Sequence, residues 1–399
     1  MSHDWEEVRL SDTGRIVTGS TPPSSLNGSW GSEAPFITPS DINGQQRYVE
    51  PDRHLSSAGL ESVKKRLLPA RAVCFTCIGA TIGKMCLTCR ASVTNQQINS
   101  IIVDSEKFDP LFIYYALRQL APTIAAHASG SATPIINAYV FGRSILRCPP
   151  LSGQRAIADV LGALDDKVEA NHRTIRLEEE LATRLLEQAP NRIRLGDVAT
   201  VQRTIIDPAA SGTTMVDHFS LPAFDERHLP MRQPGAEIKS GKQRIDDVAV
   251  LVSRLNPHIP RVWYAVPEPG VLGVASTEFV VMTPLGAVTA EELWACCNST
   301  SFTSSLGESV TGTTGSHQRV QATDVLAIEV GDPSSIPDVH RLALKAMVKS
   351  ACLLRKESVE LTIVRDALLP KLLSGELRVR DAESLVEEND ARILVENIR

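Results

Sequence analysis

The chain has 399 residues, 43% of them apolar and 22% charged, with eight cysteines and a formal net charge of −6. This length and balance suit two soluble modules and exclude a disordered chain. With no basic, apolar leader after Met1 and no apolar run of ~18 residues, neither export nor a membrane span is expected, so the cytoplasm and reduced thiols follow. The acidity is uneven: residues 1–150 carry +2, 151–190 −3, 191–330 −4, 331–380 +3 and 381–399 −4, so contact with a polyanion has to use local basic clusters.

In chain order, residues 1–150 read as a mixed α/β module. Short β-branched runs at 71–76 and 98–103 are separated by Gly, Pro, Asn and Asp, and a helix is expected at 110–119. After the small polar stretch Ser129-Gly130-Ser131-Ala132-Thr133 come a strand-like run at 144–147 and the Pro149-Pro150 turn. A long helix over 152–189 follows, with Ser152 as its N-cap and Pro190 as its stop. Its apolar positions Ile157, Leu161, Leu164, Val168, Ile175, Ala182 and Leu185 recur at spacings of three, four or seven, with Asn171-His172 interrupting.

The pattern then repeats with a unit of ~185 residues, too long for a solenoid. Arg9-Leu10-Ser11-Asp12 is echoed by Arg194-Leu195-Gly196-Asp197, and the small polar stretch by Thr311-Gly312-Thr313-Thr314-Gly315. The second module, 191–333, has strand-like runs at 248–252, 277–282 and 326–330 and a helix at 290–297. A second long helix runs from Ser335 through a stripe of Leu342, Ala346, Leu353, Ile363 and Ala367, with Lys349 and Lys356 interspersed, to Gly375. An acidic tail occupies 378–399. Narrow stripes of this kind suit two helices paired antiparallel, and at ~1.5 Å per residue each spans roughly 57 Å, more than the ~34 Å turn of B-DNA. The expected architecture is α+β: modules at 1–150 and 191–333, helical segments at 151–190 and 334–377, and a pseudo-twofold duplication.

Three motifs carry chemical signals. Gly79-Ala80-Thr81-Ile82-Gly83-Lys84-Met85 departs from a nucleotide-binding loop, with three residues between the glycines and no hydroxyl after the lysine, so a hairpin turn offering Lys84 to phosphate fits better. Cys74, Cys77, Cys86 and Cys89 form two C-x₂-C pairs that could hold tetrahedral zinc, but the gap between them is short for a zinc ribbon, and free Cys also serves as a small buried hydrophobe. Asn256-Pro257-His258-Ile259 departs from an amino-methyltransferase motif at its third and fourth positions, and no nucleophile, general base or nuclease cluster stands out, so a non-catalytic chain is expected. His258 reads as a loop or DNA-facing residue.

Arg and Lys suit phosphates and guanines, Asn and Gln suit adenines. The first module offers Lys64, Lys65, Arg66, Lys84, Asn95, Gln96, Gln97, Ser131, Thr133 and Asn137. The second offers Lys239, Lys242, Arg244, Arg254, Asn256, Arg261, Thr313, Ser316, His317, Gln318 and Arg319, about half of all these being expected to serve as solvated surface or caps.

Several runs resemble the specificity subunits of type I restriction-modification systems. In the first module these are Leu67-Leu68-Pro69-Ala70-Arg71-Ala72-Val73, Ile78-Gly79-Ala80-Thr81-Ile82-Gly83-Lys84 and Thr94-Asn95-Gln96-Gln97-Ile98-Asn99; in the second, Val252-Ser253-Arg254-Leu255-Asn256-Pro257 and Gly273-Val274-Ala275-Ser276-Thr277-Glu278-Phe279. Pro150-Leu151-Ser152-Gly153-Gln154-Arg155 is similar to the opening of that family's first conserved helix and Leu368-Leu369-Pro370-Lys371-Leu372-Leu373-Ser374-Gly375 to the end of its second. No single run is specific; their order, twice over, is. The resemblance implies target recognition domains that each read half of a split double-stranded DNA sequence, and helices that set the spacing and dock two modification subunits. It also implies restriction subunits as partners, with S-adenosylmethionine, ATP and Mg on those partners and no cofactor in this chain. It places the cysteines on strands where apolar residues usually sit. A free-standing duplicated DNA-binding regulator or a protein-interaction scaffold is the alternative.

Overall fold

The computed structural model describes residues 5–44, 46–126, 134–308 and 318–387. The described residues fall into two units, one formed by the chain up to Glu169 together with the part from Glu360 onward, the other by Ala170–Val359. Each unit thus contains one mixed α+β module and a share of both long helices.

In the first unit, strands Gly14–Thr18, Ile98–Val103, Val73–Thr76 and Met85–Thr88 lie in that order and antiparallel, and Tyr48–Val49 adds a parallel edge. Because side chains alternate along a strand, Val73, Phe75 and Cys77 enter one core while Cys74 enters another beside Cys86, Val17 and Ile98. The first core lies between the sheet and helix Pro110–Ala126, whose Phe112, Ile113, Tyr115 and Leu117 also meet Leu161, Leu164, Leu368 and Leu372 of the long helices. A small second sheet is ordered Trp30–Gly31, His54–Leu55, Ala34–Ile37, Val93–Thr94.

The second unit repeats the first sheet with Ala199–Val201, Phe279–Pro284, Ala249–Ser253 and Val262–Ala265, all antiparallel, under helix Ala290–Asn298. Its other sheet differs: five strands ordered Ile205–Ile206, Lys242–Ile245, Leu272–Ala275, Met215–Phe219, Met231–Pro234. The Arg-Leu echo marks one junction built twice. Glu6–Arg9 pairs with Ile145–Cys148 and Arg192–Arg194 with Glu329–Gly331; the next residue, Leu10 or Leu195, is buried and donates its amide to Ser144 or Ile328, each at 2.9 Å.

The long helices run Leu151–Glu187 and Asp338–Ser374 and pack together. Ser152 sits inside the first turn of the first helix, and the second starts three residues later than expected because Pro333–Ser335 closes a separate 3-10 turn capped by Asp332. Gly375, at φ 76°, ends the second helix in the left-handed conformation that glycine adopts without strain. The first stripe is buried from Ile157 to Ala182 and closes on Leu186 rather than Leu185. The second stripe is another one: Leu344, Val348, Ala351, Ser358, Arg365, Leu368 and Leu372 are buried, whereas Leu342, Leu353 and Ile363 face solvent. This helix has apolar residues on two faces, and the polar members that mark the buried face, Ser358 and Arg365, break the hydrophobic signal. Leu326 and Ala327 close helix Ala322–Ala327, so the last strand of the module is Glu329–Gly331 alone. Part of the acidic tail, Val379–Glu387, is helical.

Polar contacts join the helices in each unit. In the first, Asp165, 5% exposed, takes the Arg365 guanidinium on one oxygen and the Tyr115 hydroxyl on the other at 2.6 Å, with Arg47 Nε 3.9 Å away and Arg47 also held by Asp166 and Glu169. Burial and the Asp165 charge both push the Tyr115 hydroxyl above its ordinary pKa, so it stays protonated and donates. In the second, Asn171 donates to Glu357 at 2.7 Å and Arg355 to Glu179, and Glu292, fully buried on helix Ala290–Asn298, receives Arg341 at 2.6 Å. Rising residue numbers on the first helix meet falling ones on the second, the antiparallel arrangement.

Candidate nucleic-acid interface

Past the end of strand Val73–Thr76, three chain segments are tied by backbone bonds. Cys77 N donates to Gln97 O at 2.8 Å, Ile136 N to Cys77 O at 2.9 Å and Gly79 N to Pro134 O at 2.9 Å, while Ile78 bridges Ile135. Past Ala249–Ser253 the same frame recurs. Arg254 N donates to Glu278 O at 2.8 Å, Val320 N to Arg254 O at 3.1 Å and Asn256 N to Gln318 O at 3.0 Å, while Leu255 bridges Arg319. Gly79, at φ 66°, and Asn256, at φ 50°, occupy the same left-handed corner, one that glycine accepts freely and asparagine better than most other residues. The correspondence pairs Cys77 with Arg254, Gln97 with Glu278 and Ile135 with Arg319. It could have been seen in the sequence as an apolar residue followed by Gly or Asn three positions beyond a buried strand.

The frame brings several sequence candidates together. In the first unit, Asn95 Nδ2 donates to Gln97 Oε1 at 3.0 Å and Gln96 Oε1 accepts from Thr21 Oγ1 at 2.8 Å, beside the segment carrying Asn137. Asn137 itself caps helix Ala138–Gly142 by accepting from Val140 N at 2.9 Å. Lys84 stands exposed at the end of the hairpin joining Val73–Thr76 to Met85–Thr88. Lys64, Lys65 and Arg66 form an exposed 3-10 turn that lines a groove with Ser20, whose amide donates to Thr94 O at 2.9 Å, next to Asn95. In the second unit, Arg254, Asn256, Gln318 and Arg319 share the frame. Arg319 is gripped side-on by Glu278, Nε to Oε2 at 3.0 Å and Nη2 to Oε1 at 2.8 Å.

Other candidates are placed elsewhere. Lys242 is buried and donates to Ser240 O at 3.1 Å, and burial lowers its pKa. Arg244 pairs with Asp246 at 2.5 Å and Arg261 with Asp225 at 2.6 and 3.0 Å, while Lys239 and His258 are exposed. Ser131, Thr133, Thr313, Ser316 and His317 lie outside the described residues, as do both small polar stretches. The cysteine quartet does not converge: Cys74 and Cys86 face each other in one core, Cys77 enters the other, and Cys89 is exposed with its thiol on Val49 O at 3.4 Å. Burial pushes the Cys77 thiol up to about 11. Among the described residues no group of three or more His, Cys, Asp or Glu is arranged to hold a metal, and no helix is long and apolar enough to cross a membrane.

Residues 2–179 match the family model for the type I restriction modification DNA specificity domain. The type I restriction enzyme HindI specificity subunit of Haemophilus influenzae is 32% identical over 192 residues, 46% of this chain and 41% of that protein. Over residues 2–179 the chain is thus similar to the DNA specificity domain of type I restriction-modification systems. The MjaIX specificity subunit of Methanocaldococcus jannaschii is 25% identical over 187 residues, 46% of this chain and 43% of its own. The alignments thus span less than half the length of either specificity subunit. A solved type I restriction-modification S subunit from M. genitalium shares the fold, with a TM-score of 0.61 and 14% identity over 93% of this chain and 97% of that one.

Proposed function

We propose that the chain is a non-catalytic DNA-specificity subunit whose two modules each read one half of a bipartite double-stranded target. The observation that carries this is the three-segment frame built twice, each copy bearing polar side chains at its rim and each on a module joined to the paired helices. A single recognition site needs one such frame; two unlike copies suit two unlike half-sites. On this reading the paired helices set the half-site spacing and dock two modification subunits, and restriction subunits join the complex in the cytoplasm. S-adenosylmethionine, ATP and Mg belong to those partners, which perform adenine methylation and cleavage. The test is to co-express the chain with its modification subunits and map DNA methylation with and without its gene. A split motif that disappears with the gene is expected; methylation unchanged by its loss, or a single contiguous motif, would refute the reading.

A further inference from the structure

Resting on that reading, we infer that Arg254 is the residue with which the second module recognises a guanine, and that Asn256 contacts the base beside it. Both main-chain groups of Arg254 are held in the frame: its amide donates to Glu278 O at 2.8 Å and its carbonyl accepts from Val320 N at 3.1 Å. Ser253, 1% exposed, locks the turn that follows, its hydroxyl donating to Leu255 O at 3.0 Å and accepting from Leu255 N at 3.2 Å. The backbone at this rim position is therefore ordered before any ligand arrives, which lowers the cost of binding.

The side chains depart from ordinary packing. Arg254 is partly buried, yet its guanidinium has no hydrogen bond or ion pair among the described residues. A charge drawn out of water without a partner costs stability, and Arg232, Arg244 and Arg261 of the same unit each have a carboxylate. Of the guanidinium nitrogens Nε alone is both buried and unpartnered, so Nη1 and Nη2, unpartnered too, reach the surface. That outer edge is the fork that meets guanine O6 and N7. Enclosing Nε gives up the freedom with which an exposed cation follows the phosphate backbone and gains a fixed plane, which a planar base edge rewards. Two residues on, Asn256 Oδ1 is likewise buried without a partner among the described residues. A donor and an acceptor left unmatched at one rim are satisfied by base edges of the opposite pattern. The first module carries neither group: Cys77, 3% exposed and accepting from Asn99 Nδ2 at 3.0 Å, stands where Arg254 does, and Gly79 stands where Asn256 does. One frame with a fork and a carboxamide and another without them suit unlike half-sites.

The readout is sequence preference, measured by methylation mapping of the full chain with its modification subunits. In the wild type, one half-site contains a guanine. Arg254→Met keeps an apolar stem and removes the fork; it is expected to reduce discrimination at that guanine roughly 10- to 100-fold while the other half-site stays intact and reports correct assembly. Asn256→Gly, which allows the left-handed corner in the form the first module uses, is expected to relax the base next to that guanine and to leave the guanine read. An Arg254→Met complex that keeps its motif at wild-type stringency overturns the inference but not the proposed function. So does one whose methylation falls evenly over all sequences, as for a lost phosphate contact, or one that loses both half-sites together. Should that variant fail to assemble, Arg254→Lys decides: undiminished guanine stringency overturns the inference, and weakened stringency at that base alone supports it. An Asn256→Gly complex with an unchanged motif overturns the contact assigned to Asn256. A split wild-type motif without guanine overturns the inference alone, whereas a wild-type complex without a split motif removes the function and this inference with it.

Discussion

The two modules share a four-stranded sheet, a covering helix and a rim frame matched bond for bond, and they diverge in what surrounds that frame. The first carries a small companion sheet and, on exposed turns, Lys65, Arg66 and Lys84, which form no ion pair among the described residues. The second carries a five-stranded companion sheet, and four of its arginines sit in ion pairs: Arg232 with Asp217, Arg244 with Asp246, Arg261 with Asp225, Arg319 with Glu278. A duplicated scaffold thus keeps its backbone bonds and varies its electrostatics.

The helix contacts offer the sharpest break in this comparison. Asp165→Ala removes a buried carboxylate shared by Arg365, Arg47 and the Tyr115 hydroxyl in the first unit; Arg47 keeps Asp166 and Glu169 and Arg365 keeps Asp366, so the expected cost is about 2 kcal/mol, that of lost charged hydrogen bonds. Glu179→Gln in the second unit, where the Arg355 pair is partly solvated, is expected to cost less than ~1 kcal/mol. Thermal unfolding of the two variants measures both, and equal losses would show that the pairs do equivalent work.

Acid should separate the modules next. Burial, and then Lys242 for His218 and Arg355 for His228, lower both imidazoles to about 4. Both lie in the second unit, so that unit has stability present above the ordinary histidine pKa of ~6.5 and lost as pH falls through 4, at least ~1 kcal/mol for each group. Hydrogen exchange at pH 4.5 against pH 7 is expected to show protection falling first in Ala170–Val359; earlier loss in the first unit would contradict this.

The smallest effect lies in salt dependence. Lys84→Ala is expected to reduce the slope of log affinity against log salt by about one, as for one lost phosphate contact. Arg261→Ala, whose charge Asp225 already offsets, is expected to reduce it by less. Titration of the assembled complex with target DNA at several salt concentrations checks the difference, and equal changes in slope would erase the distinction between spare and paired cations.

The sequence by itself determined the α+β class, the duplication and the long helices. These rest on local signals: helical spacing from Ile157 to Ala182, a Gly375 stop, β-branched runs such as 98–103, and the Arg-Leu echo before each module. It did not determine which face of the second helix is buried, because two apolar stripes compete and only packing against Asp165 and its neighbours selects the one containing Arg365. Nor could it separate Lys242, drawn inward by its strand, from Lys84, left outside by its hairpin. The pairing of Arg319 with Glu278 and its match to Ile135 required the tertiary structure, since residues 41 apart in one module and 184 apart between modules become comparable only when strand registers bring the same backbone bonds into place.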